Sequence, residues 1–323
     1  MNNYLVKKNL ILVTGGAGFI GSHLIERLLE EGYEIVCLDN FNDYYDPEIK
    51  RNNIKPYLRE KRFNLIEADI RDKDTLKKIF EKYKPQKVIH LAAQAGVRLS
   101  LKQPNLYVDV NVNGTLNLLE LSKAYKITNF VFGSSSSIYG ATKEIPFSEE
   151  GKLKPISPYG VSKRTGELLC STYNHLYNLS VTVLRFFTVY GPRQRPDMAI
   201  HKFTKLIDEG KEIYLYGNGE TSRDYTYISD IVEGIMSALN NDFNYEIFNL
   251  GNSNPTNLSH LISLIEKSLN KSAKIKYLPE QPGDPSITFA DISKSKRILN
   301  YNPKIKIEEG IRRFVEWYKN EKS

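Results

Sequence analysis

Cysteine is nearly absent: two residues among 323, Cys37 and Cys170. That is too few and too scattered for a disulfide framework, and a chain of this length buries a sizeable core without one. Histidine is scarce too, with five residues in neither H-E-x-x-H nor paired C-x-x-C spacing, so no metal site is expected. No apolar run approaches the ~18 residues of a membrane span. The opening MNNYLVKKNLILVTGGAGFIGSH has the basic start and short apolar stretch of a signal peptide, but a glycine cluster interrupts it and has a better use; a cytoplasmic protein is expected. Internal repeats, low-complexity sequence beyond the serine run 134–137, and blocks of five or six like charges are missing as well. Net charge is +7, from 45 Lys+Arg against 38 Asp+Glu, yet the lysines interleave with acids on helix-like segments such as 72–84. That distribution fits a solvated surface and an anionic small-molecule partner, with no nucleic acid.

What is present is alternation. Short apolar runs at 9–14, 34–38, 63–67, 87–91, 130–133 and 181–186 read as strands. Between them 19–31, 72–83, 105–125 and 159–177 carry apolar residues at helical intervals. This predicts βαβ units, an α/β fold with a doubly wound parallel sheet, and helices on both faces through right-handed crossovers. After Tyr190 the chain turns to Pro/Gly-rich turns mixed with short strands and helices, a smaller lobe, while 229–239 and the strand 246–250 return to the first. The expected division is 1–189 with 224–251 as the nucleotide-binding domain, and 190–223 with 252–323 as the lobe.

Gly15, Gly18 and Gly21 follow the first strand at G-x-x-G-x-x-G spacing and open the first helix. The first permits a tight turn, the second lets the backbone approach a pyrophosphate, and the third lets helix pack on strand; the helix start at Phe19 and Ile20 offers N–H groups to the anion. Such a pattern alone can be an ordinary strand-to-helix turn. Here strand, glycines, helix, second strand and an acid at that strand's end coincide. Asp39 is placed to accept hydrogen bonds from an adenosine ribose and would repel a 2′-phosphate, and Asn40 and Phe41 supply no arginine. NAD is therefore expected over NADP.

Tyr159 and Lys163 stand four apart at the start of a helix and share a face; upstream, Ser134 to Ser137 close a strand. With the glycine pattern, this set resembles the extended short-chain dehydrogenase/reductases over essentially the whole chain. HLAAQ (90–94), NVNGT (111–115), RFFTVYGPRQRPDMA (185–199), SRDYTYISD (222–230) and PGDPSITFAD (282–291) extend the likeness. The resemblance implies an NAD-binding Rossmann-type domain with Tyr159 as base, Lys163 as its support and Ser135 as the partner of the reacting oxygen. The chemistry is reasonable: a free tyrosine ionises near pH 10, so a phenolate near pH 7 needs about 4 kcal/mol of help, which Lys163 and a nicotinamide cation would supply.

Within that family the chain is most similar to the nucleotide-sugar 4-epimerases acting on UDP-glucuronate, on DNFNDYYDPEIKR (39–51), AAQAGVRLS (92–100) and QPGD (281–284). UDP-glucose 4-epimerases usually carry Asn where this chain has Thr188. The acids that dehydratases and decarboxylases place before the aliphatic-Tyr-Gly are replaced by Ser136 and Ser137. The resemblance puts Thr188 and Arg195 around a sugar carboxylate, Arg223 on a diphosphate, Tyr216 near uracil and Asp284 on the uridine ribose. It puts Asp69 and Ile70 at adenine, Leu91, Ala92 and Ala93 along the cofactor, and Asn111 behind the active site, with Arg98 as a further anion contact. Plainer roles stand beside these: Ser136 and Ser137 as a polar strand end, Arg195 paired within its loop, Asp69 capping a turn, Asn111 as a core amide, Tyr216 in lobe packing. The resemblance also implies a homodimer in which helices 105–125 and 159–177 of each subunit form a four-helix bundle. UDP-glucose as substrate is the alternative activity, and a non-catalytic dinucleotide-binding regulator the alternative class.

Overall fold

The computed structural model describes residues 10–140, 142–217, 219–279 and 286–322. In chain order the main elements are β1 (Leu10–Thr14), α1 (Phe19–Glu30), β2 (Glu34–Asp39), α2 (Pro47–Ile54), β3 (Phe63–Glu67), α3 (Lys73–Tyr83), β4 (Lys87–His90), α4 (Val97–Lys102), α5 (Pro104–Val108), α6 (Gly114–Ala124), β5 (Asn129–Ser135) and α7 (Pro158–Tyr177). They continue with β6 (Val181–Phe186), β7 (Thr188–Tyr190), α8 (Ala199–Asp208), β8 (Glu212–Tyr216), β9 (Ser222–Tyr227), α9 (Ile228–Asn240), β10 (Tyr245–Leu250), β11 (Pro255–Asn257), α10 (Leu258–Leu269), β12 (Lys274–Leu278), α11 (Ser293–Leu299) and α12 (Ile307–Lys322).

By contact density the chain divides into two units: 1–133, 162–183 and 238–246 form one, and 134–161, 184–237 and 247–323 the other. The first carries the bulk of a seven-stranded sheet ordered β10-β6-β5-β4-β1-β2-β3, whose last three strands in the chain run on into the second. β1 pairs in parallel with both β2 and β4, so the chain moves to opposite sides after β1 and leaves a crevice at that strand's carboxyl end, where such sheets bind ligands. LILVT of β1 is buried throughout, as expected for a strand covered on both faces. Helix α3 shows the local logic. Asp72 caps it by accepting hydrogen bonds from the Asp74 and Thr75 amides, and Leu76, Ile79 and Phe80 form its inward stripe. The second unit holds a three-stranded sheet, β11-β9-β7, and a two-stranded one, β12-β8.

One predicted helix is not regular. The segment 105–125 is α5, then a π turn at Asp109–Asn113, then α6. The wide turn holds Asn111 inward, where its side chain bonds Gln94 and Ser162, while Leu118 and Leu119 of α6 remain in the core. Bulges of this kind are common where function and packing require different helical phases. Among the described residues no helix is long and apolar enough to cross a membrane.

Candidate active site

The glycine turn is set by close approaches. Gly15 has φ +70°, and a Cβ there would lie 2.7 Å from the Ala92 amide nitrogen. At Gly21 a Cβ would be driven into the Gly15 carbonyl and the backbone of Gly16. Gly18 differs: a Cβ there would meet only the Gly15 oxygen, at 3.3 Å, so one side of the turn stays open to a ligand. Phe19 and Ile20 begin α1 beside it, and the first amides of a helix lack intrahelical acceptors. Side-chain-free backbone plus a helix start is the cradle a dinucleotide pyrophosphate requires, and Leu91 and Ala92 leave β4 directly against it, with Ala93 next in the chain.

Asp39 ends β2 and is buried. Its two oxygens accept hydrogen bonds from the Ala17 amide at 3.1 Å and the Phe41 amide at 3.0 Å. Burial raises its pKa, opposed by those amides and by the buried Lys50 ammonium. The Asn40 amide is a third donor, which leaves one of the carboxylate's four lone-pair sites for a ribose hydroxyl. Asn53 of α2 donates to the Ala17 carbonyl at 3.1 Å, pinning the same loop from the other side. Further along, Asp69 is held by the Arg71 guanidinium through two bonds, by the Arg71 amide and by Asn40. The Arg71 fork pulls its carboxyl down to about 2. These four donors match the four lone-pair sites of a carboxylate. In this arrangement Asp69 braces the strand end, and the cap of α3 is Asp72. Ile70 is buried against Gly114.

A buried hydrogen-bond chain ties this wall together. The Ala92 amide donates to Thr14 Oγ1 at 3.3 Å, and Thr14 Oγ1 lies 2.7 Å from His90 Nδ1. His90 Nε2 lies 2.9 Å from Thr115 Oγ1, which donates to the Asn111 carbonyl at 2.6 Å. Because Thr115 spends its proton on Asn111, it accepts from His90 Nε2–H, and Nδ1 accepts from Thr14. Burial drives the His90 pKa down to about 3, with Lys163 acting in the same direction, so the ring is neutral. Asn111 is thus a core amide and also the link from this wall to Ser162 on α7.

In the second unit Ser135 closes β5 and accepts a hydrogen bond from the Ser137 amide at 3.1 Å, while Ser136 and Ser137 form a short 3-10 turn. Ser135 is hydrogen-bonded to the Tyr159 hydroxyl. Burial raises the tyrosine pKa; the Ser135 bond and the Arg195 charge pull it back toward ionisation. Lys163, one helical turn beyond Tyr159 in α7, is buried and donates to the Gly133 carbonyl at 2.7 Å. Burial lowers its ammonium to about 8, although Cys170 and Glu167 oppose this. Its poise near neutrality is what desolvation does to a cation.

The sugar-side candidates are less uniform. Thr188 opens β7, half-buried and paired with Tyr225. Arg195 forms a bidentate ion pair with Asp197, Nε to Oδ1 at 2.9 Å and Nη2 to Oδ2 at 2.8 Å. It is therefore paired within its loop while acting electrostatically on Tyr159. Arg223 on β9 donates to the Ser222 carbonyl at 2.9 Å, Tyr216 ends β8 half-buried, and Arg98 is exposed on α4. Asp284 lies outside the described residues. Spacing assigned no role to Lys50, Asn53, Ser162 or Asp197, and His90 and Gln94 entered only as the two ends of HLAAQ (90–94); for the His90 chain a further signal was threonine at the ends of the runs 9–14 and 111–115, Thr14 and Thr115.

A parallel sheet with a glycine turn at its switch point, an acid closing β2 and a Ser-Tyr-Lys set define a short-chain dehydrogenase/reductase of the extended type. The family model described as GDP-mannose 4,6 dehydratase matches residues 12–314, and the chain belongs to that family. It is 47% identical over 310 residues to a UDP-glucuronate 4-epimerase of Thermodesulfobacterium geofontis, covering 95% of each chain. Among solved structures it matches a UDP-glucuronic acid 4-epimerase from Bacillus cereus in complex with UDP-glucuronic acid and NAD, with TM-score 0.92, 40% identity and 96% and 99% of the two chains covered. A UDP-glucose 4-epimerase from Thermotoga maritima with UDP-glucose matches with TM-score 0.90 and 34% identity, over 97% of this chain and 100% of that one.

Proposed function

We propose that the chain is an NAD-dependent isomerase that inverts C4 of a UDP-sugar through a transient 4-keto sugar, converting UDP-glucuronate to UDP-galacturonate. The observation that carries this is the Ser135–Tyr159 hydrogen bond with Lys163 one turn along the same helix; the UDP-glucuronate relatives support the choice of sugar. Gly15, Gly18, Phe19, Ile20, Gly21, Asp39, Asn40, Ile70, Leu91, Ala92, Ala93 and Asn111 form the NAD side, with Asp69 as its brace. NAD, when bound, supplies the reversible acceptance of hydride at C4. Tyr159 takes the proton of the C4 hydroxyl and returns it, Ser135 holds that oxygen throughout, and the Lys163 charge favours the phenolate. Ser136, Ser137, Thr188 and Arg195 face the sugar, with Arg223, Tyr216, Asp284 and Arg98 assigned to the nucleotide and its anionic groups. By function the cofactor part is 1–189 with 224–251, and the sugar-nucleotide part 190–223 with 252–323.

The 4-keto form of a uronate is a β-keto acid that loses carbon dioxide readily, so its carboxylate must be held in a non-productive orientation. Arg195 fits that task as a planar cation near Tyr159. Because its fork already grips Asp197, UDP-glucose remains the second reading. NMR of product mixtures from UDP-glucuronate and UDP-glucose, side by side, decides between them: UDP-galacturonate formation supports the first, and conversion of UDP-glucose alone overturns it. A homodimer completes the proposal. Helix α7 leaves Val161, Leu168 and Leu176 exposed at spacings of seven and eight, one apolar stripe, and a monomer by sedimentation at micromolar concentration would contradict it. The site of action is the cytoplasm, in keeping with two buried free thiols, Cys37 and Cys170.

A further inference from the structure

The fold brings an arginine to the loop that follows Asp39, where the residues next in sequence, Asn40 and Phe41, supply none. Arg51 of α2 lies with its guanidinium carbon 4.2 Å from the centre of the Phe41 ring. Phe41 is the residue whose amide binds Asp39, and it is buried with φ +46°. The guanidinium does not point at Asp39. Its Nη2 donates to both oxygens of Glu67, at 3.2 and 3.1 Å, and its Nε lies 3.6 Å from Glu48. Glu67 ends β3, and in the parallel register of β2 and β3 it is the direct partner of Asp39. Two carboxylates therefore end adjacent strands on the same face of the sheet, and the arginine stacked between α2 and Phe41 is neutralised by the second of them.

We propose that Glu67 is a specificity-determining residue for the cofactor: discrimination against a 2′-phosphate is shared between Asp39, which repels it, and Glu67, which occupies the arginine that would otherwise bind it. The argument is electrostatic and geometric. A guanidinium is the group best matched to a phosphate, and an arginine near this ribose is how related dinucleotide folds accept NADP. Here that arginine is present, already stacked and partly exposed, and held by an exposed acid. Exposed pairs contribute little to folding, so Glu67 can be removed without loss of the fold, whereas its bonds to the Arg51 guanidinium keep that cation engaged, and its own screened charge opposes a dianionic group nearby. Lys50, buried beside Asp39 and bonded to Asn42, adds positive charge to the same neighbourhood, which makes the two acids the deciding elements.

The proposal rests on the NAD reading above, and its test reads binding, not turnover. Full-length wild type, Glu67→Gln, Asp39→Ser, the double variant, and Glu67→Gln with Arg51→Ala are titrated with NAD and NADP at fixed ionic strength by calorimetry, after removal of any co-purified dinucleotide. Glu67→Gln is expected to tighten NADP about 3- to 10-fold with NAD changed less than twofold. Asp39→Ser weakens NAD, and the double variant binds NADP more tightly than NAD. Adding Arg51→Ala to Glu67→Gln abolishes the gain. If wild type prefers NAD and Glu67→Gln leaves the NADP:NAD ratio within twofold of it, with an unchanged unfolding temperature, the role of Glu67 is overturned while the NAD reading stands. If wild type itself binds NADP at least as well as NAD, the NAD reading falls and this proposal with it. A gain that survives Arg51→Ala also overturns the mechanism, since another cation then carries it.

Discussion

The glycine cradle and the Ser-Tyr-Arg cluster proposed to face the sugar are built on opposite principles. The first is shaped by what is missing: no side chain at Gly15, Gly18 or Gly21, backbone packed on backbone, and an open side next to the start of α1. The second is made of side chains that act on one another: Ser135 on Tyr159, Arg195 on Tyr159, Asp197 on Arg195. A steric site tolerates almost no added atoms and is insensitive to pH. A site made of coupled groups tolerates substitution structurally but changes its chemistry with every charge.

The sharpest test of that contrast is Gly21→Ala, which forces a methyl into the Gly15 carbonyl and Gly16 backbone. It should cost ~3 kcal/mol or more of stability and abolish NAD binding, as followed by thermal unfolding and cofactor titration. Gly18→Ala, whose methyl meets only the Gly15 oxygen at 3.3 Å and needs a shift of a few tenths of an ångström, should fold with a far smaller loss of stability and show mainly a loss of affinity; if both glycines behave alike, the cradle is not steric in the way described. On the other side, Tyr159→Phe should reduce turnover by at least ~100-fold with NAD affinity nearly intact and the melting temperature unmoved. Loss of cofactor would instead make the tyrosine part of the cradle. Next in size, Arg195→Ala should lower efficiency on UDP-glucuronate about 10- to 150-fold while leaving any activity on UDP-glucose nearly unchanged. Equal loss on both sugars would assign Arg195 to holding its own loop with Asp197.

The smallest effect is the pH profile. Lys163, lowered to about 8 by burial, is charged below that value, so turnover should decline as pH rises through it. Stability moves the other way: between about 8 and the ordinary lysine value the unfolded chain binds the proton that the folded chain has released, so folding strengthens as pH rises there. A basic limb in kcat near pH 8 without accompanying unfolding checks both signs. His90 provides the acidic counterpart. With its pKa down to about 3, the unfolded chain binds the extra proton between there and about 6.5, and stability falls as pH falls through that window.

Period and punctuation made most of the sheet legible in the sequence. Strands 63–67 and 181–186 lie where the apolar runs put them, and the glycine turn with Asp39 is a local pattern whose physics is entirely backbone. The Ser-Tyr-Lys set was legible through resemblance, because a tyrosine and a lysine four apart carry no chemistry until a fold surrounds them. What escaped was contributed from a distance. Arg51 is twelve residues past Asp39 and is returned to Phe41 and Glu67 by helix α2, which Asp46 caps; His90 and Thr115 meet only because β4 and α6 pack together. Asp197, two residues from Arg195, was missed for a different reason: a loop gives no period from which to infer that two side chains face each other.

The π turn at Asp109–Asn113 gives the chain an unusual sensitivity to helical phase. Each residue of an α-helix advances the azimuth by about 100°, so the wide turn is a phase correction between Asn111 and the core-facing Leu118 and Leu119. A regular α-helix of the same length would leave the composition untouched. It would rotate one of the two faces away by about 100°, breaking either the amide contact to Ser162 or the packing of the leucines. Between Asn111 and Leu118, therefore, the helical phase is constrained as tightly as the identity of the residues.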